Sequence, residues 1–263
     1  MELRECIFYS NDCYRRGRKI APCGVMVHST GANNPNLRRY VQPDDGLLGS
    51  NGNQNDWNRP GLDVCVHAFI GKKADGTVAT YQTLPWDRRG WHAGSGSSGS
   101  ANNTHISFEI CEDGLNDRAY FETVWREAVE LTAYLCARYG LDPMADGVVI
   151  DHAEGHRRGI ASNHGDVTHW LTRYGLTMDD FRQAVAENSE VERMTKQELE
   201  RLIDRRIAAK LDGDGTTPSK WAEEELSDAE RSGITDGTRP RGYATREETA
   251  VMVERLRKRI EKE

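Results

Sequence analysis

Apolar and polar residues alternate over several short stretches in the first 150 positions, and the spacing then turns helical. Residues 24–29, 63–71, 77–82, 105–111 and 147–151 are rich in Val and Ile and read as strands. Residues 119–139 carry Ala, Val and Leu at helical spacing, which predicts a long amphipathic helix. Residues 177–187 predict a second helix, with Thr177 as its N-cap and Asp180 in its first turn. Strands alternating with helices point to an α/β fold, a mixed central sheet with covering helices. Residues 94–100 (GSGSSGS) are flexible by composition and read as a mobile surface loop.

The pattern changes again after about residue 189. All eight His, all six Cys and all five Phe lie before residue 182, while the tail holds one Trp and one Tyr and is dense in charge. That shift places a domain boundary near 185–195. The division expected is a catalytic domain over 1–188, a helical linker over 189–216 and a small all-α domain over 217–263. Thr195 and Glu198 form a capping-box pair ahead of an apolar stripe of Leu199, Leu202, Ile203, Ile207 and Leu211, and residues 212–215 end that helix. Two more helices are expected near 218–232 and 245–262, the latter opened by a Thr245 and Glu248 capping box. The apolar stripe suits either assembly of residues 195–263 into a homo-oligomer or packing on the same chain. A second translation start at Met194 would produce the tail as a free partner for the full chain.

Composition removes some classes of function. The chain has 263 residues, 29% charged and 37% hydrophobic, which is the balance of a globular protein. A net charge of −7 argues against a general nucleic-acid binder. No apolar run is long enough for a membrane span, and the polar start (MELREC) lacks a secretory core, so a cytoplasmic protein that awaits release is expected. Cys65, Cys111 and Cys136 sit in apolar stretches and read as reduced core residues; Cys6, Cys13 and Cys23 leave room for one disulfide. Trp86, Trp125 and Trp170 read as core.

Strand parity picks out the chemistry. In residues 25–28 the two valines share one face and His28 takes the other. In residues 105–111, Ile106, Phe108 and Ile110 share a face, and His105, Ser107 and Glu109 point the opposite way. His152 follows a third strand, and a glycine-containing loop leads on to His164 and Asp166. A catalytic zinc takes three protein ligands and keeps a fourth position for water. His28, His152 and Asp166 would supply two imidazoles and one carboxylate, with Glu109 as proton carrier and His164 as hydrogen-bond donor to an oxyanion. Eight histidines offer many other triples. His156 lies four residues after His152, so on a helix both could face one way and bind zinc, but Gly155 and Gly159 argue against a firm helix there, and a loop or substrate-side histidine is preferred. His67 reads as a packed, hydrogen-bonded histidine; His105 and His169 carry no expected role beyond structure. Asn102 and Asn103 read as a surface loop.

Five motifs in order resemble the type-2 N-acetylmuramoyl-L-alanine amidases, the fold shared with peptidoglycan-recognition proteins. Residues 27–30 (VHST) resemble their first-ligand strand, and 64–70 (VCVHAFI) with 75–77 (DGT) their central strand and hairpin. Residues 89–94 (RGWHAG) resemble their substrate-side loop, 106–110 (ISFEI) the strand of the catalytic glutamate, and His152 with Asp166 their second and third ligands. The resemblance covers residues 20–187 and is nearest in style to phage and prophage endolysins. It implies a zinc hydrolase acting on bacterial peptidoglycan, with metal ligands His28, His152 and Asp166, catalytic residues Glu109 and His164, and substrate contacts at Trp91 and His92. The family often has a lysine where His164 stands, and the interval from His152 to Asp166 is longer than in many relatives, so His164 competes with Asp166 as a ligand. Residues 221–226, 233–240 and 244–249 resemble one S-layer-homology repeat, which implies docking on a secondary cell-wall polymer or self-assembly. Two other functions fit the same fold: a recognition module without catalysis, and a zinc peptidase acting on stem-peptide cross-links.

Overall fold

The computed structural model describes residues 1–212 and 217–261. The chain divides into two compact units, Met1–Val191 and Glu192–Glu263. Among the described residues, six strands form one sheet: β1 (Leu3–Glu5), β2 (Gly24–Ser29), β3 (Ala68–Lys72), β4 (Val78–Gln82), β5 (His105–Ile110) and β6 (Val149–Asp151). The helices are α1 (Asp12–Arg15), α2 (Arg118–Tyr139), α3 (His152–Arg157), α4 (Thr168–Arg173), α5 (Met178–Asp212), α6 (Glu223–Arg231) and α7 (Arg246–Ile260). The sheet runs β1-β4-β3-β5-β2-β6, with only the β3–β4 pair antiparallel. This is the mixed α/β architecture expected, a central sheet flanked by helices.

Alternation sorts the two faces of the sheet. Val25 and Val27 of β2, Ile106, Phe108 and Ile110 of β5, and Ala68 and Ile70 of β3 enter one core with α2, α4 and the first turns of α5. Trp170 and Phe181 are buried in that core, and Trp125 packs against it. The opposite face carries Met26, His28, His105, Ser107 and Glu109, and part of it is covered by α3. Gly155 sits inside α3 because a Cβ there would lie 2.5 Å from the Met26 methyl. The glycine that argued against a helix is what lets this helix approach the sheet.

Local chemistry sets the ends. The Asp117 side chain accepts from Tyr120 N–H to open α2, and Gly140, at φ +65°, closes it. Thr177 and Asp180 exchange hydrogen bonds at the start of α5, as expected of an N-cap. The β3–β4 hairpin turns at Asp75 and Gly76, the latter at φ +85°.

Some expectations change. β3 begins at Ala68 rather than at 63, because Cys65 bridges to Trp91 and leaves the ladder. Residues 94–100 are tied down: Gly94 O accepts from Ser100 Oγ and Asn102 Nδ2, and Ser98 N–H donates to Gly159 O. All six cysteines are free thiols, with no disulfide among Cys6, Cys13 and Cys23. Thr195 and Glu198 do not open a helix; the backbone is helical without a break from Met178 to Asp212. The stretch at 213–215 expected to end that helix lies outside the described residues.

In the second unit, α7 is opened by the Thr245 and Glu248 capping box read from the sequence. Leu202, Ile203 and Ile207 are exposed on α5, as are Trp221 and Tyr243 farther along. Among the described residues no helix is long and apolar enough to cross a membrane.

Candidate metal centre

β5, β2 and β6 are parallel neighbours, so their C-terminal ends lie side by side. Open α/β sheets gather ligand-binding groups at that edge. His28 is the penultimate residue of β2, and Glu109, its registered partner across the ladder, is the penultimate residue of β5. His152 directly follows β6 as the first residue of α3. Positions 28, 109 and 152, remote in the chain, thus meet through strand order alone.

The start of α3 is fixed by buried polar groups. Asp151 caps the helix, accepting from Glu154 N–H at 2.6 Å and from the Thr168 hydroxyl. Glu154 closes the capping box and receives both Arg182 guanidinium nitrogens, at 3.0 and 3.1 Å. Asp166 is brought in by its backbone, whose carbonyl accepts from His152 N–H at 3.2 Å.

The result is a tight donor cluster. Ligand atoms of His28, His152 and Asp166 all lie within 4.8 Å of one another. His28 Nδ1 is 2.8 Å from Asp166 Oδ2, the two Nδ1 atoms are 3.3 Å apart, and His152 Nδ1 is 3.5 Å from Asp166 Oδ1. A tetrahedral ion with bonds of roughly 2.0–2.1 Å separates its ligand atoms by about 3.4 Å. The donor set, two imidazoles and one carboxylate, therefore fits a zinc-like ion in type and in spacing. His164 is not part of this cluster.

Each histidine of the cluster has its far ring nitrogen engaged. His28 Nε2 is 3.0 Å from His92 Nδ1, and His152 Nε2 is 3.3 Å from Ser162 Oγ. Such partners orient metal-binding imidazoles. His92 is held in turn by fully buried Asn102, whose side-chain oxygen accepts from the N–H groups of His92 and Ala93 at 2.7 and 3.0 Å. Asn102 is thus a buried brace rather than the surface residue expected.

An open cleft of about 630 Å³ exposes this face; Thr30, Trp91, His92, Glu109, His164 and His169 line part of it. Glu109 Oε2 is buried without a hydrogen-bond partner. Burial, with the charges of Asp166 and Glu112, holds the Glu109 carboxyl well above its ordinary range. Burial also pushes on Asp166, but hydrogen bonds to His152 and His28 outweigh it and hold that carboxyl well below the usual range. Burial lowers the pKa of His28 against the pull of Asp166.

Residues 18–169 match the family model described as N-acetylmuramoyl-L-alanine amidase (Amidase_2). The chain belongs to that family. As a member it is 47% identical over 129 residues to N-acetylmuramoyl-L-alanine amidase CwlH of Bacillus subtilis (strain 168), across 46% of this chain and 43% of that one. It is 40% identical over 68 residues to XlyA of the same strain, across 22% of this chain and 23% of that one. The matches therefore span less than half the length of these curated relatives. The crystal structure of Staphylococcus aureus hydrolase AmiA with its ligand shares the fold, at 19% identity and a TM-score of 0.52 over 73% of this chain and 85% of that one.

The remaining histidines of this family member fall outside the cluster. His67 is fully buried, with Nε2 2.7 Å from Arg88 O and Nδ1 3.0 Å from Ser107 N, a packed residue as expected. His105 lies between the Thr104 hydroxyl and Gly147 O. His156 is on a helix after all, but its Nδ1 turns to Ala161 O at 3.2 Å. His169 approaches the buried carboxylate of Glu112 at 2.9 Å on the cleft wall. Sequence reasoning missed Ser162, because no spacing rule links a loop serine to a helix histidine ten positions earlier.

Proposed function

We propose that the chain is a zinc-dependent peptidoglycan amidase, hydrolysing the amide between the lactyl group of N-acetylmuramic acid and L-alanine of the stem peptide. The convergence of His28, His152 and Asp166 on one point, with Glu109 in the same cleft, carries this reading. These three residues would hold the metal. A zinc ion there supplies Lewis acidity, activating water and polarising the amide carbonyl. Glu109 takes the proton from the attacking water and delivers it to the departing amine. Burial and the neighbouring carboxylates raise its affinity for a proton, which suits a group that must take one up before passing it on. His164, on the cleft wall, donates to the carbonyl oxygen as negative charge builds on it. Trp91 gives the glycan or peptide an aromatic surface, stiffened by the Arg89 guanidinium 5.2 Å from its ring centre. His92 both lines the cleft and backs His28, so it serves ligand orientation as well as substrate contact.

The reading assigns catalysis to residues 1–188 and wall docking to 217–263, with 189–216 as the linker between them. Within the second unit a cavity of about 450 Å³ is lined by polar Thr235, Asp236 and Glu247 beside apolar Leu226, Val251 and Met252, a mixed setting that suits the hydroxyls and carbon faces of a wall polymer. Exposed Leu202, Ile203 and Ile207 support self-association. The substrate sets the place of action, the cell wall, and an endolysin role goes with it.

Digestion of purified wall tests the reaction. New lactyl carboxylates, with clearing stopped by chelator and restored by zinc, are expected. New amino termini within the stem peptide would instead mean a peptidase, and binding without clearing a recognition module.

A further inference from the structure

His152 presents Nδ1 to the donor cluster, so a metal there leaves the ring proton on Nε2. That N–H lies 3.3 Å from Ser162 Oγ, which accepts it. The Ser162 hydroxyl has one proton of its own and two acceptors in reach, His164 Nδ1 at 3.0 Å and Ala93 O at 3.3 Å. Ala93 O already accepts the Ser162 backbone N–H at 2.8 Å. The closer imidazole nitrogen has no other donor among the described residues. The Ser162 hydroxyl therefore donates to His164 Nδ1, which accepts.

We propose that Ser162 is a positioning residue that links ligand His152 to His164 and fixes His164 as the tautomer protonated on Nε2. His164 is exposed; its ring centre lies 4.8 Å from that of His152, and Ser162 is its hydrogen-bond partner among the described residues, so without that hydroxyl nothing fixes which ring nitrogen carries the proton. Nε2–H is then the donor available to the substrate oxyanion, while Nδ1 is occupied. The serine itself is clamped. Its N–H is tied to Ala93, whose own N–H is held by Asn102, and Gly94 passes so close that a Cβ would lie 2.8 Å from Ser162 Oγ. Loop residues 92–94 thus back both ligand histidines, His28 through His92 and His152 through Ser162.

The use made of His164 rests on the amidase reading; its tautomer does not. The test is long-range proton–nitrogen correlation on the zinc-loaded full chain with ¹⁵N-labelled histidine, near pH 8, with the His164 signals identified by their loss in His164→Asn. The expected spectrum has a pyridine-like, hydrogen-bonded Nδ1 and a protonated Nε2. In Ser162→Ala the Nδ1 resonance moves to its unbonded position, and Ser162→Thr restores it. At saturating zinc, kcat for wall lysis falls about ten- to a hundredfold in Ser162→Ala with KM unchanged, and recovers in Ser162→Thr. A wild-type spectrum with the proton on Nδ1 overturns the proposal, and needs no variant to fold. So does an Nδ1 resonance that Ser162→Ala leaves in place. A chain whose spectrum is as expected but which never clears wall refutes the amidase reading alone.

Discussion

Replacing Glu109 by Gln separates what this carboxyl does for the reaction from what it does for the fold. The side chain keeps its shape, and the buried position of Oε2, which has no hydrogen-bond partner, stays unsatisfied in both proteins. What is lost is the ability to carry a proton. General acid–base catalysis contributes roughly 10²–10⁴ in rate, or about 3–5 kcal/mol of barrier, and lysis should fall by that factor. Zinc affinity should stay within a few-fold, since Glu109 is outside the three-residue donor cluster. Stability has its own sign. The folded pKa of Glu109 lies above the unfolded value of 4.5, so between the two the folded state binds the extra proton. Its contribution is fully present below the unfolded pKa and is lost as pH rises through the folded one, with a slope of up to about 1.4 kcal/mol per pH unit. Metal-free Glu109→Gln lacks this loss and should be at least as stable as wild type at pH 7–8. Turbidity clearing of purified wall, chelator competition for zinc and urea titration of the metal-free chain measure the three quantities. Lysis within tenfold of wild type would refute the catalytic role. A variant destabilised at pH 8 would refute the picture of an unpaired buried carboxyl.

Asp166→Asn should weaken zinc binding by more than the ten- to hundredfold typical of an outer-shell change, while His164→Asn leaves it nearly unchanged. The reverse result in chelator competition would move the third ligand to His164. Burial lowers the His67 pKa to about 4, so on acidification the unfolded chain takes up a proton first, near pH 6.5. Stability from this residue is complete above that pH and falls by about 3 kcal/mol on reaching pH 4. Urea titrations between pH 4 and 7 should be flatter for His67→Gln, and parallel profiles would sink the assignment. Gly94 has φ +63° and no room beside Ser162, so Gly94→Ala should cost at least about 1–2 kcal/mol of unfolding free energy. An unchanged urea midpoint would show that the loop relaxes freely.

Features of short period or short range were legible in the chain. A strand repeats every two residues, so the faces of β2 and β5 followed from Val25, Val27, Ile106, Phe108 and Ile110 alone. Thr177 with Asp180, and Thr245 with Glu248, are caps whose partners lie three residues away. The same local logic failed at Thr195. A capping box opens a helix only where the preceding chain is not already helical, and no Gly or Pro interrupts residues 178–212. Gly155 misled for the opposite reason. Its helix propensity is poor, yet contact with Met26 leaves no space for any larger side chain.

The site was partly legible because its geometry follows from sheet order. Glu109, His28 and His152 each stand at or just past the C-terminal end of a strand, and β5, β2 and β6 are neighbours. Once a family resemblance suggests that order, the three side chains must meet. Asp166, His92 and Ser162 have no such rule. They reach the centre from loops, through backbone bonds between His152 and Asp166 and between Ser162 and Ala93, and through the Asn102 side chain accepting from His92 N–H. The strands therefore set which groups face each other, while the loops set how each imidazole is turned. Substitutions in the loops should accordingly alter metal affinity and ring orientation while leaving the fold intact, whereas substitutions in the strand cores should unfold the site as a whole.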